Sequence, residues 1–93
     1  MDRREARLLL SKQLFAVRAR GYGALARSLP LVETCEVTGP SGTVYQVEIQ
    51  TFWDGRRDGD IRVTGSIDNG GLRWLVPLTD DFIIRPDGTC VGE

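Results

Sequence analysis

The sequence predicts an α+β domain, with one or two N-terminal helices packed on one face of an antiparallel β-meander of about five strands. Three observations predict it. From Asp2 to Arg20 no residue breaks a helix, and apolar residues recur at helical spacing. From Leu31 the apolar period changes to strict alternation and stays so nearly to the end. The alternating runs are separated by turns rich in glycine, proline, asparagine and aspartate. The 93 residues fit a single domain, with residues 1–30 forming a helical segment and 31–93 the sheet.

In the first helix Ala6, Leu10, Leu14 and Val17 make one buried stripe. Leu8, Phe15 and Ala19 make a second, set apart by Arg4, Arg7, Ser11 and Arg18. Gly21 and Gly23 stop the helix. The segment Tyr22 to Leu29, ended by Pro30, reads as a short second helix that folds back over Leu8 and Phe15. If it leaves them bare, that stripe becomes a docking surface, since contiguous exposed apolar area marks interfaces.

Val32 to Thr38 reads as the first strand. Gly39, Pro40, Ser41 and Gly42 turn the chain into a long strand with Tyr45, Val47, Ile49, Thr51 and Trp53 on one face and Gln46, Glu48 and Gln50 on the other. After a polar loop, Ile61, Val63, Gly65 and Ile67 alternate with polar residues. Asn69, Gly70 and Gly71 predict a tight hairpin into a strand with Leu72, Trp74, Val76 and Leu78 inward. A turn on Asn69 and Gly70 sets Gly65 opposite Trp74. A turn on Gly70 and Gly71 spares Pro77 a ladder position and sets Asp68 across from Arg73. Asp80 and Asp81 then read as a turn into Phe82, Ile83 and Ile84. Arg85, Pro86, Asp87 and Gly88 have type I turn composition before a last short strand, Thr89 to Val91.

The strings VTGPSGTVYQVEIQTFWD, GSIDNGG and PLTDDFIIRPDG resemble a group of small uncharacterised bacterial domains. The shared residues belong to turns and strands, so the resemblance implies the same helix-plus-meander fold and no activity.

The net charge of −1 conceals an uneven distribution. Residues 1–30 hold seven basic side chains against two acidic ones, and residues 31–93 hold five arginines against eleven acids. Such asymmetry marks either an anionic partner for the basic part or mutual attraction of the two halves within one fold.

Chemistry is sparse. There is no histidine and one lysine, Lys12, which removes most triad, metal and imine arrangements. The segment from Asp54 to Asp60 superficially resembles a calcium loop, but the twelfth position is Gly65 where an acid is required. Asp80 and Asp81 point to opposite faces of an extended chain and do not share a proton. Glu48, near Arg62 and Arg73 if their strands are neighbours, suits a polar ligand or simply a solvated face. Cys35 and Cys90 lack neighbours that generate a thiolate, and the serines lack a nucleophile motif. Two separated cysteines suit small buried hydrophobes, with a disulfide as the alternative. No catalytic residue, metal site or cofactor is expected.

The run Leu8 to Leu10 is too short for a signal-peptide core and no stretch spans a bilayer, so the expected location is the cytoplasm and no membrane partner is expected. The expected function is a non-enzymatic protein-interaction domain of unknown pathway. Its partner is another protein or a second copy, met through Leu8 and Phe15 on the helix or Phe52 and Leu75 on the outward sheet face, with Val44 in the same patch. The alternative is nucleic-acid or anionic-ligand binding through Arg4, Arg7 and Arg18, although no aromatic residue is interleaved for base stacking.

Overall fold

A computed structural model describes residues 2–70 and 77–92. Two helices, α1 (Arg3–Arg18) and α2 (Tyr22–Ala26), precede five strands, β1 (Leu31–Thr38), β2 (Val44–Trp53), β3 (Ile61–Asp68), β4 (Leu78–Ile84) and β5 (Cys90–Val91). The strands form one antiparallel meander in the order β1-β2-β3-β4-β5, with the helices on one face. The α+β architecture read from the sequence is therefore the observed one.

Asp2 caps α1, its carboxylate accepting from the Glu5 amide at 3.1 Å and satisfying one of the free N–H groups of the first turn. The expected stripe of Ala6, Leu10, Leu14 and Val17 is buried to 2% exposure or less. It lies on Val47, Ile49, Ile61, Val63, Ile67, Leu78, Phe82 and Ile84 from the sheet. Gly65 lets the helix approach. A Cβ there would stand 2.9 Å from Leu10 Cδ1 and 3.0 Å from Leu14 Cδ2.

The second helix departs from expectation. It buries Leu25 in the common core, and Tyr22 packs on Trp53 with ring centroids 6.5 Å apart. The Tyr22 hydroxyl also donates to the Gly59 carbonyl at 2.8 Å. Thus α2 seals the end of the sheet beside the loop between β2 and β3 and does not fold back over α1. Leu8 and Phe15 stay 61% and 67% exposed. At the sheet end Leu25 is buried in the core, and Tyr22 gains both the Trp53 ring and a carbonyl acceptor.

The hairpin after β3 also differs. Ile67 stands across from Leu78 and Gly65 across from Asp80, which excludes both expected registers. The alternation simply resumes later, with Leu78, Phe82 and Ile84 buried. Asp80 and Asp81 are therefore interior residues of β4 and not a turn. The strand expected over Leu72 to Val76, and with it Arg73, Trp74 and Leu75, lies outside the described residues. The expected turn ends in residues outside those described, and local turn chemistry does not set which residues of the following strand pair with β3.

The turn between β1 and β2 is tied to α1 by one carboxylate. Glu5 accepts from the Ser41 hydroxyl at 2.7 Å, the Tyr45 hydroxyl at 2.8 Å and the Ser41 amide at 3.0 Å. The hydrogen bonds from Ser41 and then Tyr45 hold the Glu5 carboxyl below its ordinary pKa. Asp87, accepting from Thr89 in the turn before β5, is lowered in the same way. As pH falls, the unfolded chain protonates first, so the stabilisation is complete above the ordinary carboxylate range and disappears as pH drops through the folded-state values. Urea midpoints recorded between about pH 6 and pH 3 should therefore fall, and fall less steeply for Glu5→Gln. Parallel curves for the two proteins would remove Glu5 as a source of acid sensitivity.

Candidate interaction surfaces

Three uncovered surfaces among the described residues are candidates: the outer side of α1, the outer face of the sheet, and the free edge of β1.

On α1 the residues opposite the buried stripe are Leu8 and Phe15, two helical turns apart, with Lys12 between them. Arg3, Arg4, Arg7, Lys12 and Arg18 are all exposed on this helix. None of them belongs to an ion pair among the described residues, where the pairs are Arg20 with Glu33 and Arg62 with Asp54 and Asp81. Arg20 to Glu33, at 2.7 Å, is thus the single ion pair found there between residues 1–30 and 31–93. Mutual attraction of the two halves is a small contributor, because one exposed pair adds about 0–1 kcal/mol.

The outer sheet face carries the side chains that alternate with the core. Cross-strand rows place Glu36, Gln46 and Asp68 together, then Thr34, Glu48, Ser66 and Thr79, then Val32, Gln50, Thr64 and Asp81. A last row holds Phe52, Arg62, Ile83 and Val91. Arg62 is the one cation in these rows. Its guanidinium donates to Asp54 at 2.7 Å and also to Asp81, and these carboxylates raise its pKa. The expected grouping of Glu48 with Arg62 does not form, since Glu48 faces Ser66 while Arg62 faces Phe52.

Phe52 and Val44 share the outer face but sit near opposite ends of β2, so they do not make the single patch expected of them. The apolar neighbours of Phe52 come from β4 and β5, namely Ile83 and Val91. The sequence does not show either neighbour, because the register between strands decides who stands beside whom. Leu75, the other residue expected in this patch, lies outside the described residues.

The third surface was not anticipated. β1 is an edge strand of eight residues in unbroken register with β2, and no strand pairs with its other side among the described residues. Because α1 lies chiefly over β3 and β4, the helix-facing side of β1 is only partly covered. There Cys35 is exposed, and a groove of about 240 Å³ runs between β1 and α1 over Val47 and Ile49. Cys90 sits on β5 at the opposite edge of the sheet, and both thiols are free. A bridge within one chain is excluded by that separation.

No helix among the described residues is long and apolar enough to cross a membrane. Compared with known proteins, the chain matches no family model, no curated protein and no solved structure. Its functional reading rests on these surfaces.

Proposed function

We propose that this protein is a small non-enzymatic interaction domain that docks another protein chain on the outer side of α1, in the simplest case a second copy. The supporting observation is the exposure of Leu8 and Phe15 on the side of α1 facing away from its own core. Covering a leucine or phenylalanine side chain completely contributes about 1.5–3 kcal/mol each, and these two lie on one line along the helix. The flanking arginines and Lys12 supply the polar rim that accompanies such an apolar centre.

Phe15→Asp should leave far-UV circular dichroism and the melting curve unchanged while abolishing concentration-dependent assembly in sedimentation velocity. Unfolding of this variant would show that Phe15 belongs to the core. A strictly monomeric wild-type protein up to about millimolar concentration would remove the self-association form, since weak specific contacts are populated by then.

A second reading is supported by the segregation of charge. Arg4, Arg7 and Arg18 are exposed and without ion pairs among the described residues, on the helical side of the domain. The acids Glu36, Glu48 and Asp68 occupy the outer sheet face on the other side. The negative sheet therefore does not screen the helix directly, and an anionic ligand such as a nucleic-acid phosphate suits it. A labelled oligonucleotide would distinguish the readings. Binding that weakens with salt and disappears when Arg4, Arg7 and Arg18 become glutamate favours this one.

A further inference from the structure

We infer that the free edge of β1 is a docking site for an extended peptide segment whose side chains alternate between cationic and apolar. Among the described residues, the edge lacks most of the usual protections against strand addition, and its inward-pointing charge, Glu33, is paired with Arg20. β1 contains no proline or lysine and no bulge, and no helix or loop pairs with its outer side. Its unpaired backbone groups are a template for one more antiparallel or parallel strand.

The two sides of such a strand would meet different surroundings. Residues facing the helix layer would lie along Leu31, Glu33, Cys35 and Val37, beside the groove formed by Ala16, Val17, Val47 and Ile49. That side selects apolar residues of moderate size. The ion pair between Arg20 and Glu33 closes one end of the groove, so the inward-pointing charge there is already neutralised. Residues on the other side would lie along Val32, Thr34, Glu36 and Thr38. Their nearest charges are Glu36 and Glu48, which contact only the amides of Gln46 and Gln50 among the described residues. That side selects lysine or arginine.

Charge also decides against a second copy as the occupant. A two-fold related β1 that kept both faces matched would bring the Glu33 and Glu36 carboxylates of both chains to one seam, with like charges opposite or diagonal. An alternating strand instead sets its cationic residues along the Glu36 side and its apolar residues against the groove, where Glu33 is already paired with Arg20. This site is distinct from the outer side of α1, and its test is independent of Phe15.

The experiment uses the full chain and a capped heptapeptide of alternating lysine and valine, with a glutamate–valine heptapeptide and a lysine–valine peptide bearing a central proline as controls. Amide hydrogen exchange and chemical shifts of residues 31–38 are followed together with the Kd. The expected result is protection of β1 amides by the lysine–valine peptide alone. Its affinity should fall about tenfold for the double variant Glu36→Lys, Glu48→Lys, whose two positions are exposed and so tolerate the change.

Equal binding of the proline peptide would overturn the proposal, because it would show attraction to the acidic face without strand pairing. So would the absence of binding, or perturbation confined to α1. Protection of β1 that grows with protein concentration in the absence of peptide would identify a second copy as the occupant and overturn the assignment of a cationic strand. Repeating the titration with Phe15→Asp should give the same Kd, whatever that substitution does to assembly.

Discussion

Leu14→Ala is expected to destabilise the protein by about 2–5 kcal/mol, a large part of the roughly 5–15 kcal/mol available to a domain of this size. Leu14 is 1% exposed and lies with Leu10 against the backbone of β3 at Gly65. Removing its terminal isopropyl group loses the transfer free energy of three carbons and leaves a space that a sheet on one side and a helix on the other cannot easily close. The melting temperature should drop by about 8–40 °C, with an unchanged far-UV spectrum at low temperature. A shift of only a few degrees would mean that α1 is not docked through this stripe. Leu8→Ala, on the opposite side of the same helix, is the internal control and should be nearly neutral, because Leu8 is 61% exposed.

Gly65→Val should cost about 1–3 kcal/mol or more, for the opposite reason. Here the site is too full. The new Cβ would stand at 2.9 Å and 3.0 Å from methyl carbons of Leu10 and Leu14, both of which are buried and confined by the rest of the core. The branched methyls would then push α1 off the sheet. Valine is otherwise the better strand residue, so intrinsic propensity predicts stabilisation and close packing predicts the reverse. The two effects are coupled: in a Leu14→Ala background, Gly65→Ala should be markedly less harmful than in the wild type, giving a non-additive double-mutant cycle. Strict additivity would show that helix and strand do not meet at Gly65.

Much of this architecture was legible because it rests on periodicity. A stripe at Ala6, Leu10, Leu14 and Val17, and alternation from Tyr45 to Trp53 and from Ile61 to Ile67, follow directly from how side chains leave a helix or a strand. The docking candidates were less legible. The exposure of Leu8 and Phe15 depended on where α2 would settle, and its five residues are compatible with either side of α1. The grouping of Phe52 with Ile83 and Val91 depended on register, which slips by even steps without disturbing the inward and outward pattern.

The amino-acid sequence by itself determined the order of helices then strands, the inward faces of β1, β2 and β3, the buried stripe of α1 and the poverty of catalytic side chains. Only the tertiary structure decided that α2 closes the sheet end, that β3 pairs with Leu78–Ile84, that the exposed basic residues of α1 and the acids Glu36, Glu48 and Asp68 lie on opposite sides of the domain, and that β1 is left as an open edge. Periodic burial is a local property of the chain. Pairing partners and free edges are instead set by competition among distant surfaces for the same apolar area.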